Sequence, residues 1–201
     1  MLGNSAFIAF VTVTLTLLVS SMAAFVLAHL RFAGKKWLAN YLALGLTFPF
    51  ATAVLPVFIR VRDMGLLDSY WGVILPQIAF NLGFAIVLLQ GFLRNCPMSY
   101  LKRPSWTVAV TRACFGRLPC LCPEVLSPVG SWNEYLLPLV MINNEALSPW
   151  PLGIMQYQGQ YGTDWGKVLA FVSLTLTPAV IFYLMAQKHI IAGLTSGAVK
   201  G

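Results

Sequence analysis

AFIAFVTVTLTLLVSSMAAFVLAHL, Ala6 to Leu30, runs for 25 residues without a charged side chain, and its reading decides the fold. A helix of that length covers about 37 Å, more than the roughly 30 Å of a bilayer's hydrocarbon core. Helix is also the only open-ended way for a chain to satisfy its backbone there. Thr12, Thr14, Thr16, Ser20 and Ser21 lie among small residues in this run, a composition suited to close helix contacts in lipid. A contact with a transported solute would use the same side chains.

Outward from this run the chain keeps its character. Trp37 to Ile59, Trp71 to Leu93 and Val168 to Gln187 are also free of charge, and each has about the 20 residues that a span requires. A fifth run, Val125 to Ile142, is short and carries Glu134, Pro128 and Pro138; it reads as a damaged or tilted span. Over all 201 residues the chain is 58% hydrophobic and 9% charged, with a mean hydropathy of +0.76. Soluble domains carry about a quarter charged residues. The fold class is therefore all-α, a polytopic helical membrane protein with four clear transmembrane helices and one weakened, in a single domain over residues 1–201.

The net charge of +7 would suggest nucleic acid in a soluble protein, but the basic residues are dispersed over segments that flank apolar spans. Arg31, Lys35 and Lys36, then Arg94, Lys102, Arg103, Arg112 and Arg117, then Lys188 and Lys200 share one side and include ten of the thirteen lysines and arginines. The other side holds Arg60, Arg62 and Lys167 with Asp63, Asp68, Glu134, Glu145 and Asp164. The positive-inside rule places the ten in the cytoplasm, Met1 outside and Gly201 inside. Met1 to Ser5 has no basic n-region and the uncharged run that follows is too long for a secretory h-region, so no cleaved signal is expected. An outward N-terminus without a preceding span points to an earlier helix missing from this chain.

Few chemistries remain. No GxxxxGK[ST] is present to cradle phosphates, and no HExxH or pair of intramembrane carboxylates appears, so neither nucleotide hydrolysis by this chain, nor metalloproteolysis, nor a carboxylate proton relay is expected. Cys114, Cys120 and Cys122 give C-x5-C-x-C without a nearby His, unlike structural zinc sites, and cytoplasmic thiols stay reduced. No metal, cofactor or catalytic residue is expected. Pro49, Pro56, Pro76 and Pro178 fall inside or near the ends of spans, where neighbouring helices can serve the freed carbonyls. Asn81, in the middle of the third span, reads as an interhelical hydrogen-bonding residue or as part of a path. His29 and His189 read as interfacial anchors.

The second half carries more specific signals. Gly130-Ser131-Trp132-Asn133-Glu134 followed by YLLPLVMINNE, then Pro151-Leu152-Gly153, then Gln158-Gly159-Gln160-Tyr161-Gly162-Thr163-Asp164-Trp165, and Ala192 to Gly201 (AGLTSGAVKG) resemble the C-terminal half of carbohydrate ABC importer permeases, the maltose-transporter-type inner-membrane subunits of binding-protein-dependent systems. Upstream, Asn4-Ser5, AHLRFAGKK and LPVFIRVRDMGLLDSYWGVILPQIAFNLGFAIVLLQGFLR resemble the same family. The resemblance covers residues 1–95 and 130–201. It implies a type I ABC importer permease core that pairs with a second permease subunit, two cytoplasmic ATPase subunits that hydrolyse the ATP, and an external sugar-binding protein, in the bacterial inner membrane. It makes the C-terminal Gly193, Leu194, Thr195, Ser196, Gly197 and Lys200 candidate ATPase contacts. Trp132, Asn133 and Glu134, with Asn81, become candidate path or gate residues; a polar cluster that packs helices together is the alternative for the first three.

Residues 94–129 depart from the family. There it has a coupling loop, a short cytoplasmic helix with Glu-Ala-Ala and a following Gly that docks on the ATPase. This chain has no Glu-Ala-Ala, and its segment carries all four cysteines and a single acid, Glu124. Permitted codons for MSYLKRPSWT, read in the frame that begins one nucleotide before the Ser99 codon, can spell E-L-L-E-A-A-V-M-D with Gly next. CFGRLPCLCPE can likewise spell F-W-S-V-A-L-P-L-S-R. A frameshift entered near Cys96 to Met98 and left near Glu124 to Val129 is expected, replacing the coupling helix and the start of the family's fifth helix. Arg117 would be costly at depth, and Pro119 and Pro123 would break a helix entering the membrane. The expected function is a permease subunit of an ATP-driven sugar importer, impaired in this copy; the alternative is a non-transporting membrane assembly protein that retains the fold.

Overall fold

The computed structural model describes residues 1–46, 49–94, 130–159 and 162–198, the last fourteen through their backbone alone. The expected frameshifted segment, with Cys96, Cys114, Cys120 and Cys122, therefore lies outside the described residues, apart from Arg94 at its edge. The elements in chain order are α1 (Leu2–His29), α2 (Lys35–Gly45), α3 (Phe50–Asp63), α4 (Tyr70–Arg94), α5 (Leu136–Met141), two 3-10 helices (Glu145–Leu147 and Trp150–Tyr157), and α6 (Trp165–Ala198). Among the described residues the single strand pairing is a two-residue antiparallel ladder that matches Gln158 with Thr163 and Gly159 with Gly162.

α1 and α4 form the centre. The buried stripe of α1 is Ser5, Ile8, Ala9, Thr12, Thr16, Ser20, Ala24 and Leu27, three or four residues apart and mostly small or hydroxylated. Its outward face is Leu2, Phe7, Phe10, Leu18, Val19 and Met22. A water-soluble helix buries its large apolar residues; here they face outward, as expected when the solvent is lipid and helices approach through small residues. Thr14 and Ser21 instead return their hydroxyls to Phe10 O (2.7 Å) and Leu18 O (3.0 Å) of their own helix. Tyr70 Oη donates to Asn4 Oδ1, Thr12 Oγ1 to Gln77 Oε1, and Gln90 Nε2 to Leu27 O. These pairs progress in the same direction along both helices, so α1 and α4 run parallel. Their C-terminal ends bring Arg31, Lys35 and Lys36 to the same end of the molecule as Arg94. At that end Lys35 Nζ donates to Leu30 O (2.9 Å) and Ala28 O (3.4 Å), covering carbonyls that a helix terminus leaves free.

α1 and α4 are each long and apolar enough to cross a membrane. The uncharged run from Trp37 to Ile59, expected as one span, is two helices, α2 and α3, that meet at 98° across a break of four residues or fewer. The physical reason lies at Pro49. It has no N–H to donate and disfavours helix in the residue before it, and it stands as the N-cap of α3, where its carbonyl takes Thr52 N–H (3.1 Å) and Thr52 Oγ1 (2.7 Å). Pro56, Pro76 and Pro178 lie inside helices. The weak run Val125 to Ile142 is, where described, a helical turn at residues 130–132 and the six-residue α5. α6 is 34 residues long, and its apolar part includes Trp165–Ile181. Exposed Trp37, Trp71 and Trp165 stand at the first turns of α2, α4 and α6, the placement of an interfacial aromatic belt.

The corner between α3 and α4 is tightly built. Gly65, with φ +68°, follows the α3 C-cap. Gly65 N donates to Arg62 O (2.9 Å) and Leu66 N to Val61 O (3.0 Å), the two bonds of a Schellman ending, and Val61 and Leu66 pack in the same apolar cluster. Ser69 Oγ then accepts Gly72 N–H at 3.2 Å. The return is so close that a Cβ on Gly72 would stand 2.3 Å from Leu66 O.

Candidate functional site

Two polar regions connect these helices, and they differ in completeness. The first joins the N-terminal ends of α1 and α4 to the segment after α5. Asp68, in the left-handed region at φ 54°, accepts the backbone N–H groups of Asn143 and Asn144, the latter at 3.0 Å, on one carboxylate oxygen, and its own N–H donates to Met141 O (3.0 Å). These backbone donors, Asn143 first and Asn144 second, hold its carboxyl below the usual carboxylate range. Asn4 Nδ2 donates to Ala146 O (2.8 Å) and Ser148 O (3.1 Å), and Ser5 Oγ accepts Trp150 N–H (2.7 Å). Asn4-Ser5 thus binds α1 to the loop through both of its side chains.

The second region is a cavity of about 270 Å³ lined by Gly45 and Leu46 of the α2 end, Phe50 of α3, Gln77, Phe80 and Asn81 of α4, and Glu134 and Leu137. Gln77 and Asn81 are four residues apart and share a helix face; they stand roughly 10 and 16 Å along α4 from its start, well inside a span. The cavity lies where the helix pair is broken. α2 and α3, at 11 and 14 residues, reach only about 16 and 21 Å each. Irregular backbone at membrane depth is tolerated where it is enclosed by protein or borders a water-filled space. A space bordered by two carboxamides and a carboxylate meets that requirement.

Glu134 has a structural task as well: one of its oxygens accepts Leu136 N–H (3.1 Å) and Leu137 N–H (3.3 Å), starting α5. Gln77, only 3% exposed, accepts Ser131 Oγ–H at 2.8 Å and Thr12 Oγ1–H at 3.3 Å on Oε1, which joins α1, α4 and the turn before Glu134. Its Nε2 is buried without a partner among the described residues. Gln77 was missed from sequence; its spacing of four from Asn81 was the available signal.

The expected candidates separate. Asn81 and Glu134 come together at the cavity, and the Asn81 side chain makes no hydrogen bond among the described residues. Trp132 is directed to α6, its Nε1 donating to Thr175 O (3.3 Å). Trp150 Nε1 reaches Thr175 Oγ1 (2.9 Å) and stacks on Phe171 at 4.8 Å, so two indoles seat α6. Asn133 is half-buried and does not line the cavity. Gly193, Leu194, Thr195, Ser196 and Gly197 fall in the final turns of α6, while Lys200 lies outside the described residues. Among the side chains described, no group of three or more His, Cys, Asp or Glu could hold a metal ion.

A lipid-facing bundle with a cavity at a broken helix defines a helical membrane protein with open space in its interior. No family model matches the chain. Among curated proteins it is 33% identical over 207 residues to the trehalose transport system permease protein SugB of Mycobacterium tuberculosis, covering 98% of this chain and 76% of that one. It is 31% identical over 208 residues to the sulfoquinovosyl glycerol transport system permease protein SmoH of Agrobacterium fabrum (100% and 73%). It is 32% identical over 209 residues to the diacetylchitobiose uptake system permease protein DasC of Streptomyces coelicolor (99% and 75%). The chain belongs to the family of carbohydrate ABC transporter permeases.

Proposed function

We propose that this chain is one of two membrane-spanning permease subunits of an ATP-driven sugar importer and forms half of its translocation path. The observation that carries the reading is the corner between α2 and α3, where broken helix ends, two carboxamides and a carboxylate surround open space inside a lipid-facing bundle. Relatives named for the transport of trehalose and sulfoquinovosyl glycerol agree with a polyol cargo. On this reading a second permease subunit completes the path, two ATPase subunits hydrolyse ATP and meet Gly193 to Gly197 at the end of α6 together with Lys200 outside the described residues, and an external sugar-binding protein delivers the cargo. The chain lies in the bacterial inner membrane with its N-terminal end outward and its C-terminal end in the cytoplasm. The end shared by Arg31, Lys35, Lys36 and Arg94 supports that orientation.

In this copy coupling is lost. Work done by the ATPase reaches the path only through an element that both subunits contact differently in each state, and the Glu-Ala-Ala helix that resemblance places in residues 94–129 is absent from the sequence. The test is sugar uptake in a strain lacking the corresponding intact permease, with the partner subunits present. The expected outcome is little uptake with this chain and recovery when codons 98 to 123 are restored to the frame that spells Glu-Ala-Ala. Full uptake by the present chain overturns the impairment, and codons that do not encode that string overturn its cause. No uptake from either form favours the non-transporting assembly role.

A further inference from the structure

We propose that the start of α2 is a docking surface for one anionic phospholipid, in which Arg31 and Lys36 receive the phosphate and the stripe Trp37, Tyr41 and Leu44 lies along the glycerol esters and the upper acyl chain. The surface goes beyond the permease reading and requires only that α1 and α4 lie in a bilayer.

Three observations support it. The first is charge without a counterpart. Arg31 and Lys36 are exposed and make no ion pair or hydrogen bond among the described residues, whose two salt bridges, Arg62 with Asp63 and Lys167 with Asp164, lie elsewhere. Lys35 is occupied by Leu30 O and Ala28 O, which ties the turn that presents the other two. No described carboxylate shares this end: Asp63 and Asp68 stand at the end of α3 and before α4, Glu134 at the cavity, and Glu145 and Asp164 between α5 and α6. The second is an unpartnered helix face. α2 buries none of its residues. Its Leu42 side meets the cluster of Ala24, Leu27, Ile86 and Leu89, while Trp37, Tyr41 and Leu44, 71, 61 and 70% exposed, recur at i, i+4 and i+7 and share one outward face. Trp37 and Tyr41 stack, with ring centroids 5.6 Å apart and planes at 11°. The third is order along the axis. From Lys36 to Leu44 the surface runs roughly 12 Å, from cation through two amphipathic aromatics to an aliphatic side chain. A phospholipid presents phosphate, esters and chain in that order, and tryptophan and tyrosine favour the middle depth. An acidic protein would meet the cations and leave the apolar stripe unmatched. A zwitterionic lipid would meet the stripe and leave the surplus charge.

The test is quenching of Trp37 by brominated lipid. The full chain is placed in phosphatidylcholine nanodiscs with rising fractions of phosphatidylglycerol, or of phosphatidylcholine, carrying dibrominated acyl chains. Because the chain has six tryptophans, the Trp37 signal is the difference between otherwise identical chains with Trp37 and with Trp37→Phe. Half-maximal quenching is expected at a mole fraction of the anionic lipid about 25-fold below that of the zwitterionic one, about fivefold for each surface cation. Arg31→Gln and Lys36→Gln should each remove about fivefold of that preference, and high salt should remove most of it, because both charges are exposed. Arg62→Gln, at the other end of the molecule, should change nothing. Quenching by brominated phosphatidylcholine retained in every variant shows that α2 still meets lipid. Equal quenching by the two lipids overturns the surface, as does a preference that survives both substitutions. A preference that Arg62→Gln lowers equally makes net charge its cause and overturns the site. Trp37 shielded from both lipids when the chain is assembled with partner subunits assigns the face to protein and overturns it too. None of these outcomes reads sugar uptake, so the permease reading stands or falls by its own test.

Discussion

The junction around Asp68 and the region around Gln77 both use polar side chains, both link α1 to α4 and the α5 segment, and are otherwise opposites. At the junction each carboxylate or amide named above has found a backbone partner: Asp68 takes two N–H groups and Asn4 gives to two carbonyls. In the cavity Gln77 keeps an orphan atom, Asn81 has no partner among the described residues, and the helix that should pass beside them is broken. Polar groups that close on one another fix geometry; polar groups left unpaired hold their neighbours less firmly. The same helices are therefore clamped near one end and less fully paired further along.

Substitutions can break or sharpen that contrast. The largest effect is expected at Gly72, where a Cβ would meet the Leu66 carbonyl, rigid backbone, at 2.3 Å. Gly72→Val should destabilise by about 3 kcal/mol, the upper end of overpacking costs, seen as a large fall in Tm and in membrane yield. Asp68→Ala comes next, because it strips the acceptor from two N–H groups; the Tm of the purified complex should fall by several degrees. The pH dependence has a definite sign. Asp68 ionises more readily folded than unfolded, so its contribution is complete above its ordinary value near 3.8 and disappears as pH falls below that through the folded value. Wild type should lose its advantage over Asp68→Ala only in that acid range, and an advantage that persists unchanged at the lowest pH would remove the carboxylate from the clamp. Trp132→Phe, which deletes the bond to Thr175 O, should cost about 1 kcal/mol, read by denaturant titration in detergent. Asn81→Ala is smallest, within roughly 0.5 kcal/mol; a loss as large as that of Trp132→Phe would show that the cavity is clamped after all and erase the distinction.

The sequence makes α1 and α4 legible because lipid imposes a length and an absence of charge, and Ala6 to Leu30 and Trp71 to Leu93 meet both. The threonine and serine stripe of α1 was legible for the same reason: Thr12, Thr16 and Ser20 are buried where small residues permit close approach. The corner was not legible. Trp37 to Ile59 is apolar throughout, and hydropathy cannot tell a straight helix from one that turns at Pro49, a residue that spans otherwise tolerate. Glu134 showed as a charge in a weak span, but its bonds to Leu136 and Leu137 depend on a helix starting beside it. Asp68 counted only as an external charge, since its partners Asn143 and Asn144 lie 75 and 76 residues away. Gln77 was hidden because an uncharged amide hardly changes hydropathy, although burial makes it the joint of three segments.

The right-angle corner also bears on the surroundings of this chain in a membrane. At about 21 Å, α3 by itself is shorter than a 30 Å hydrocarbon layer, and the corner at its start borders Gln77, Asn81 and Glu134 as well as apolar side chains. In a chain that crosses lipid such a corner has to be covered by protein, so what stands opposite it matters as much as the helices that form it.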